Sequence, residues 1–260
     1  MTTALPWTTA WVTGASTGIG RELALQLAQA GVKVAASDRV IDKLIELEGL
    51  HPGIKAFPLD VTDGDALKKT VEAIKAHSGP IDLAVLCAGV AHPMGAENYD
   101  VKLALHSMNV NYNGILRALG SLMPGMIQRR SGHIAMIASM TGYRGPTDSA
   151  AYAPTKAAII SLTEALKLDL ARFGVKISVI NPGFVDTPIT QQLNYELPHI
   201  MTASDTATRI ITGLRRGRYE IVFPWQMTLA TKLGRMMPNT WYFWFCRKIE
   251  EQEKLKTRTR

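Results

Sequence analysis

The fold is decided by the stretch Thr8-Thr-Ala-Trp-Val-Thr-Gly-Ala-Ser-Thr-Gly-Ile-Gly20, near the start of the chain. Its first six residues are mostly β-branched or apolar, which is typical of a buried strand. Glycines 14, 18 and 20 then permit a tight turn and close packing of a helix that we predict over residues 20–30. A strand, a glycine-rich turn and a helix in this order predict the first unit of an α/β fold.

The rest of the chain continues this alternation of short strands and longer helices. Further strands are predicted at residues 33–37, 54–57, 83–86, 133–137, 176–180 and 220–223, and helices at residues 41–50, 63–77, 100–129, 149–173 and 204–216. Such alternation implies right-handed crossovers and a parallel sheet with helices on both faces. We therefore predict one domain over residues 1–223, followed by a C-terminal extension over residues 224–260.

Composition agrees with a single large core and offers few special chemical groups. The chain has 260 residues, of which 47% are hydrophobic, and such a length is ordinary for one α/β domain. The start of the chain lacks the basic and apolar regions of a signal peptide, and no apolar run reaches about 18 residues. We expect a cytoplasmic protein. The two cysteines and six scattered histidines predict neither a disulfide framework nor a metal site.

The formal net charge of +7 is concentrated near the C-terminus. Residues 225–260 contain eight Lys or Arg and three Glu, a net charge of +5. The body of the chain is therefore close to neutral and shows no basic stripe, which argues against nucleic acid as a partner.

The glycine-rich turn also suggests a ligand. Unpaired backbone N–H groups and the helix dipole favour an anion at the start of the helix, and glycine lets the backbone approach a pyrophosphate. A purely structural turn is the alternative, but the position between a predicted strand and helix favours dinucleotide binding. The candidate contacts are Gly14, Ser16, Thr17, Gly18, Ile19 and Gly20.

Acidic residues after the second and third strands bear on the choice of dinucleotide. Asp38, eighteen residues after Gly20, can accept hydrogen bonds from the ribose hydroxyls and would repel a 2′-phosphate, which favours NAD. Arg39 keeps NADP open, because its guanidinium could reach such a phosphate. Asp60 can bond the adenine amino group, or can merely cap the next helix.

Tyr152-Ala-Pro-Thr-Lys156, with Ser139 thirteen positions upstream of the tyrosine, suggests acid/base chemistry. Residues four apart share one face of a helix, and a lysine there can favour the phenolate of a tyrosine whose ordinary pKa is about 10. Spacing alone leaves chance as an alternative. Ser139 could end a strand, and Asn111 could satisfy backbone groups within a helix.

Taken together, the motifs resemble those of the short-chain dehydrogenase/reductase family over about residues 8–223. They comprise TGxxxGxG at 13–20, Leu-Asp-Val at 59–61, Ala-Gly at 88–89, Val-Asn-Tyr-Asn-Gly at 110–114, Ser139, Tyr152-x-x-x-Lys156 and Asn181-Pro-Gly-Phe-Val-Asp-Thr187. The resemblance implies one doubly wound Rossmann domain with a seven-stranded parallel sheet. It also implies a homodimer or homotetramer built through the helices at 100–129 and 149–173.

The resemblance implies roles for individual residues. Tyr152 would exchange a proton with a carbonyl or alcohol oxygen while a hydride moves to or from nicotinamide. Lys156 would tune the tyrosine and bind the nicotinamide ribose, and Ser139 would hold the substrate oxygen. Asn111 would position a water in a proton relay. Further cofactor contacts would come from Val61, Ala88, Gly89, Pro182, Gly183, Val185 and Thr187, with Thr187 bonding the carboxamide.

One motif departs from the family's pattern. The family usually has Asn-Asn-Ala-Gly after the fourth strand, whereas this chain has Leu86-Cys-Ala-Gly89. Without the two asparagine amides, the end of the fourth strand lacks side chains that would normally stabilise it. Gly89 still lets the adenosine approach the backbone, so we expect this protein to bind the cofactor. A thiol beside apolar residues predicts an inert Cys87.

The predicted substrate loops are mainly apolar. They span residues 188–203, 140–147 and 91–96 and carry no clustered charge. We expect a small hydrophobic secondary alcohol or ketone as substrate, although closure of the loops against the body is an alternative explanation. The apolar residues are Met94, Met140, Tyr143, Ile189, Leu193, Tyr195, Leu197, Ile200 and Met201.

The C-terminal extension combines aromatic residues at 225 and 241–245 with the basic run at 247–260. This composition is typical of peripheral membrane contact, and packing over the substrate loop or a partner subunit is the alternative. A non-catalytic dinucleotide sensor acting through such a contact is the second functional class. The joint presence of Asn111, Ser139, Tyr152 and Lys156 favours the enzyme.

Overall fold

A computed structural model describes residues 4–192 and 197–258, with side-chain surroundings up to residue 248. The strands are β1 (Thr9–Thr13), β2 (Lys33–Ser37), β3 (Ile54–Ala56), β4 (Leu83–Leu86), β5 (Gly132–Ile137), β6 (Val175–Pro182) and β7 (Glu220–Phe223). The helices are α1 (Gly18–Gln29), α2 (Ile41–Leu50), α3 (Gly64–Ser78), α4 (Val101–Met108), α5 (Gly114–Gln128), α6 (Ala153–Ala171), α7 (Ala203–Arg215), α8 (Trp225–Met236) and α9 (Asn239–Arg258).

The seven strands form one parallel sheet in the order β3-β2-β1-β4-β5-β6-β7. The chain therefore starts in the middle of the sheet, builds outward to β3, and returns to the other side through β4. This confirms the predicted doubly wound α/β fold. The reversal of direction between β1 and β4 leaves a crevice at the carboxyl ends of the strands, where such folds bind ligands.

Two apolar layers cover the two faces of the sheet, as its alternating side chains require. On one face Trp11 packs with residues of α3, α5 and α6, among them Ile74, Leu122 and Ile159. On the other face Val12 packs with residues of α1, α2 and α7. The buried indole Nε1 of Trp11 donates to Ser37 Oγ at 2.9 Å, so its polar atom is satisfied.

Two predicted helices differ from the sequence-based expectation. The helix predicted at 100–129 contains a π-helical segment at Asn109–Asn113 between α4 and α5. The helix predicted to begin at residue 149 begins at Ala153, because the residues before it pair with a neighbouring loop through a Met94–Ser149 bridge. Both differences arise from contacts with the segment after β4, which periodicity along one helix does not report.

The C-terminal extension consists of α8 and α9, which follow directly after the last strand. Arg144 holds the junction of the two helices by donating to Met237 O at 2.6 Å and to Asn239 Oδ1 at 2.7 Å. Across the described ranges 4–192 and 197–258, no helix combines the length and the apolar character needed to cross a membrane.

His133 is a buried titratable group at the start of β5 that takes no part in the crevice. Ser178 Oγ donates its hydrogen to Arg218 O at 2.6 Å, so the His133 Nε2 atom, 2.9 Å away, must be the donor to that hydroxyl. Burial, together with Lys176 and Lys167, lowers the pKa of His133 from 6.5 to about 4.

This lowered pKa predicts a loss of stability in mild acid. Between pH 6.5 and 4 the unfolded chain binds a proton that the folded histidine does not, so the free energy of unfolding falls as the pH drops. The fall amounts to about 3 kcal/mol at most. Urea unfolding of wild type and His133→Gln across this range should show a shallower pH slope in the variant. The exposed His77→Gln is the control, and an equal slope in all three proteins would contradict the assignment.

Candidate active site

A cavity of about 300 Å³ lies at the carboxyl ends of the strands, beside the crevice between β1 and β4. Its walls are the segments that follow β1 to β6, together with the start of α1 and the start of α6. The sheet therefore brings together motifs that are far apart in sequence.

One end of the cavity is formed by the N-terminus of α1. Thr17 is the N-cap residue but makes no side-chain hydrogen bond to the helix, and the first turn contains no acidic residue. The first N–H groups of a helix have no partner within it, so this end offers free donors and a positive dipole end to an anion. These groups fit the pyrophosphate of a dinucleotide.

Close backbone contacts hold that helix in place. Gly20 lies so close to Gly14 that a Cβ atom on it would be 2.1 Å from the Gly14 carbonyl oxygen. Gly14 has a φ of +68°, and a Cβ there would be 2.8 Å from the backbone of Ala88. Only glycine permits this packing of α1, β1 and the segment after β4.

Acidic and basic side chains line the cavity where it borders the ends of β2 and β3, next to the glycine-rich turn. The Asp38 carboxylate accepts hydrogen bonds from the backbone of Ser16 at 3.4 Å and Val40 at 3.1 Å. Asp60 accepts from the backbone and hydroxyl of Thr62 at 2.8 and 2.7 Å. Burial raises the pKa of Asp60, but these hydrogen bonds and the nearby Arg39 outweigh it and leave that pKa below its ordinary value.

The segment after β4 is braced despite its missing asparagines. The Thr13 hydroxyl oxygen accepts hydrogen bonds from the backbone N–H groups of Cys87, at 3.0 Å, and Ala88, at 3.2 Å. Desolvation raises the pKa of the Cys87 thiol to about 11, so the thiol is protonated at neutral pH. The Thr13 hydroxyl, on the neighbouring strand β1, thus makes polar contacts with the segment that lacks the family's usual asparagines. These contacts were not predicted from the sequence.

Tyr152, Lys156 and Ser139 meet at the centre of the cavity wall. Tyr152 occupies the N-cap position of α6 with helical dihedral angles, so Lys156 lies one turn below it. The lysine Nζ is 5.4 Å from the centre of the tyrosine ring and donates to Ile137 O at 2.9 Å. Ser139 lies near enough to the Tyr152 hydroxyl to act on its pKa.

Burial moves the pKa values of both titratable groups toward their neutral forms. Desolvation raises the pKa of Tyr152 to about 12, although the nearby Ser139 acts in the opposite direction. Desolvation also lowers the pKa of Lys156 to about 8. At neutral pH the tyrosine is therefore a protonated phenol beside a lysine that is still mostly charged. A protonated phenol at this place can donate a proton.

Asn111 lies behind the cavity wall, within the π-helical segment. Its Oδ1 accepts from the Val90 backbone at 2.7 Å, and its Nδ2 donates to Val90 O at 2.9 Å and to Thr155 Oγ1 at 3.0 Å. The side chain is completely buried and does not line the cavity. These hydrogen bonds connect the segment after β4 to α6. The Asn111 amide therefore stabilises the part of the cavity wall that contains Lys156.

The wall after β6 is held by Thr190 and by pairing with the chain before α7. Thr190 Oγ1 donates to Thr187 O at 2.9 Å and accepts from Thr187 N at 3.1 Å. Val185 forms a parallel bridge with Met201. The Thr187 side chain also reaches Gly18, where an added Cβ would lie 2.9 Å from Thr187 Cγ2. This segment therefore closes over the start of α1.

The cavity gathers every predicted cofactor residue, with Ser139, and leaves Asn111 outside. These are Gly14, Ser16, Thr17, Gly18, Ile19, Gly20, Asp38, Arg39, Asp60, Val61, Ala88, Gly89, Tyr152, Lys156, Pro182, Gly183, Val185 and Thr187. The cavity has further lining residues that the sequence analysis did not assign to the cofactor. Most of them follow the ends of strands, and that position could have been used to predict them. They are Ser37, Val40, Leu59, Cys87, Val90, Val110, Ile137, Ala138, Pro188, Ile189 and Thr190.

The prediction of an apolar substrate cover was wrong for Met94, Met140 and Tyr143. All three side chains are buried. The Tyr143 hydroxyl donates to Glu220 and accepts from Asn181 Nδ2 at 2.9 Å. Met201 packs against the core. Ile189 does line the cavity, whereas Leu197 and Ile200 do not; Leu193 and Tyr195 lie outside the described residues.

In the ranges that the structure describes, no three His, Cys, Asp or Glu side chains are grouped so as to hold a metal ion. The groups that meet at the centre of the cavity wall are the Tyr152 phenol, the Lys156 ammonium and the Ser139 hydroxyl.

Comparison with known proteins places this arrangement in a family. The short chain dehydrogenase family model matches residues 8–198. An uncharacterized oxidoreductase of Myxococcus xanthus is 36% identical over 239 residues, which cover 90% of this chain and 94% of the relative. A 3-oxoacyl-[acyl-carrier-protein] reductase of Thermotoga maritima is 34% identical over 70% of this chain and 76% of its own.

The chain therefore belongs to the short-chain dehydrogenase/reductase family. It is an oxidoreductase that uses a nicotinamide dinucleotide, as members of the family do. Among solved structures, a short-chain dehydrogenase from Streptomyces avermitilis has a TM-score of 0.80 and 24% identity over 98% of both chains. That likeness concerns the fold.

The contact between Gly20 and Gly14 predicts the effect of one added methyl group. Gly20→Ala should lower the free energy of unfolding by about 1–3 kcal/mol, because the backbone of the turn must move to accept the Cβ. It should also weaken binding of a nicotinamide dinucleotide in a fluorescence titration.

Gly49→Ala is the matched control. Gly49 lies in α2 with nothing within 4 Å of an added Cβ, so the change should gain about 0.5–1 kcal/mol from helix propensity and leave binding unchanged. If Gly20→Ala bound cofactor as wild type does, the close contact would not be what shapes the anion site.

Proposed function

We propose that this protein transfers a hydride between nicotinamide and the carbon of a hydrophobic secondary alcohol or ketone, with Tyr152 as the acid/base. The observation that carries this proposal is that Tyr152 and Ser139 line one cavity, with the buried Lys156 one helical turn from the tyrosine. Membership of the family favours this enzymatic function over a non-catalytic dinucleotide sensor.

When bound, the nicotinamide supplies or accepts the hydride. In carbonyl reduction, Tyr152 donates its phenolic proton to the substrate oxygen, which Ser139 holds by a hydrogen bond. In alcohol oxidation, the tyrosine must first lose that proton. Lys156 would supply a positive charge that favours the phenolate and would bind the nicotinamide ribose.

Asn111 acts at one remove in this scheme. Its amide holds Val90 and Thr155, so it positions the segment after β4 and the first turn of α6 relative to each other. We propose that Asn111 also positions a water in a proton relay; its Oδ1 accepts from the Val90 N–H and has a second lone pair.

A hydrophobic substrate is supported by the distribution of charge around the cavity. Among the described lining residues, the charged side chains are Asp38, Arg39, Asp60 and Lys156. The first three follow β2 and β3, whereas Ser139 follows β5, three strands away from β2 in the sheet. Val90, Val185 and Ile189 add apolar surface to the lining. No described lining residue remains to clamp a phosphate or carboxylate on the substrate, which favours an apolar alcohol or ketone.

We propose NAD in preference to NADP. Asp38 faces the glycine-rich turn through its contact with the Ser16 N–H, so its negative charge lies where the adenosine ribose would approach. Arg39 is adjacent but exposed, and its charge already acts on Asp60. NADP remains the alternative cofactor that Arg39 could support.

We also propose that the chain forms a homodimer or homotetramer through the helices at 100–129 and 149–173. Large apolar side chains are exposed on both: Leu103, Leu105 and Leu116 on the first pair, and Leu168 on α6. The division into a catalytic domain at 1–223 and an extension at 224–260 is supported by the completion of the sheet at Phe223.

Removal of the Tyr152 hydroxyl tests the proposed acid/base. With a panel of hydrophobic ketones and secondary alcohols, Tyr152→Phe should lose at least about a hundredfold in kcat. In the wild type, alcohol oxidation should rise roughly tenfold per pH unit between pH 6 and 8, because the raised pKa keeps the phenol protonated. Ketone reduction should not show this rise, since it uses the protonated form.

Tyr219→Phe is the matched control, because it removes a hydroxyl that hydrogen-bonds to no described residue and does not line the cavity. It should retain activity. Unchanged turnover in Tyr152→Phe, or the same pH rise in both directions, would refute the role given to Tyr152.

The charge of Asp38 provides a test of cofactor choice. Asp38→Ser should shift the ratio of kcat/KM for NAD over NADP toward NADP by at least about tenfold, because the repulsion of a 2′-phosphate is removed. Arg39→Gln should not produce that shift. A wild-type preference for NADP in the same assay would overturn the proposal of NAD.

A further inference from the structure

The outer face of α8 is apolar and lies in contact with no described part of the chain that would bury it. Trp225, Leu229, Leu233 and Met236 are spaced four, four and three residues apart, which places them on one side of the helix. Trp225 is 72% exposed and Met236 83% exposed, and both leucines are 56% exposed. Soluble surfaces rarely present so many large apolar groups in one row.

Helix α9 also exposes aromatic residues, although not in a single row. Trp241, Phe243, Trp244 and Phe245 are 68%, 61%, 61% and 52% exposed. The neighbouring Tyr242 instead contacts the body of the protein, with Arg144 4.5 Å from its ring centre. We call the four exposed residues of α8 together with Trp241 and Trp244 the C-terminal face.

Contacts with the body hold both helices, so the C-terminal face is fixed in place. On α8, Met227 packs against the core from the inner side, and Lys232, beside Trp225 at the edge of the exposed row, donates to Glu220 at 2.5 Å. On α9, Asn239 and Tyr242 contact Arg144. A segment with one anchored and one exposed apolar side has the pattern of an interfacial helix.

Charge around the C-terminal face distinguishes its possible occupants. Residues 225–248 contain Lys232, Arg235, Arg247 and Lys248 and no Asp or Glu. A symmetric contact with a second copy would bring these like charges together, which is unfavourable. A surface that is both apolar and negatively charged, such as an anionic bilayer, matches tryptophan, aliphatic and basic side chains together.

We propose that the C-terminal face docks this protein on the surface of a membrane that contains anionic lipids. The tryptophans and aliphatic side chains enter the boundary between headgroups and acyl chains, and basic residues beside them, other than the Lys232 that pairs with Glu220, contact the headgroups. No helix needs to cross the bilayer for this mode of binding.

The docking helix also contacts the active-site wall. A Cβ on Gly183, which lines the cavity, would be 2.8 Å from Met227 Sδ on the inner side of α8. The membrane surface and the cavity are therefore separated near Gly183 by the thickness of one helix. If the proposed apolar substrate is correct, this geometry places the cavity beside the phase in which such a substrate dissolves.

Vesicle co-sedimentation of the full chain tests the docking directly. Vesicles of phosphatidylcholine with 30% phosphatidylserine should bind at least about tenfold more tightly than pure phosphatidylcholine, and high salt should remove the difference. Leu229→Ser with Leu233→Ser should weaken binding by at least about tenfold, because two apolar side chains no longer enter the bilayer.

Ile45→Ser with Leu50→Ser is the matched control, since these α2 residues are 61% and 52% exposed but lie outside the C-terminal face. The control should bind vesicles as wild type does. Thermal melting shows whether each variant is folded, and turnover of a water-soluble ketone should be unchanged in both.

Three outcomes would overturn the proposal. Wild type could stay in the supernatant with both vesicle types, or the control could lose binding as the α8 variant does. Alternatively, sedimentation velocity could show that the α8 variant breaks a dimer while wild type binds no vesicles, which would assign the C-terminal face to a second copy. Binding is measured without substrate or cofactor, so these outcomes are independent of the proposed reaction.

Discussion

The approach of α1 to β1 is the constraint on which the site depends. Gly20 lies against the carbonyl of Gly14, and Gly14 lies against Ala88, with distances that leave no room for side chains. This packing brings the free N–H groups of the helix to the crevice between β1 and β4. It also makes the segment after β4 part of the same wall, so the anion site and the catalytic wall are set by one set of backbone contacts.

The second organising feature is the burial of a charged lysine. Lys156 has its ammonium bonded to the carbonyl of Ile137 and stands behind Tyr152. Desolvation acts on the two groups in opposite directions, lowering the pKa of the lysine and raising that of the tyrosine. The phenol is therefore protonated at neutral pH, and the lysine provides positive charge near its ring.

Hydrogen bonds distant from the cavity connect the site to the C-terminal helices. Asn181, just before Pro182 and Gly183, bonds the Tyr143 hydroxyl, which bonds Glu220, which in turn accepts from Lys232 on α8. Met227 of the same helix packs beside Gly183. The extension is thus part of the support of the cavity wall, and its outer face is fixed relative to the site.

Local pattern was sufficient to predict most of the fold. The strands at residues 33–37, 83–86 and 220–223 were predicted with the bounds that the structure shows, because their apolar runs are short and end at turn residues. Strand alternation with helices also predicted the parallel sheet. The two helix errors, at 109–113 and at 149–152, came from contacts between segments, which periodicity does not contain.

The sequence by itself determined which chemical groups are present and which of them follow the ends of strands. It could do so because the glycine-rich turn, the acidic residue after β2 and the four-residue spacing of the Tyr-Lys pair depend on local backbone geometry. Only the tertiary structure decided which groups touch. It placed the Asn111 amide on Val90 and Thr155, substituted the Thr13 hydroxyl for the missing asparagines, and buried Met94, Met140 and Tyr143 away from the cavity. It also decided which side of α8 and α9 is exposed, since that depends on what the body packs against them.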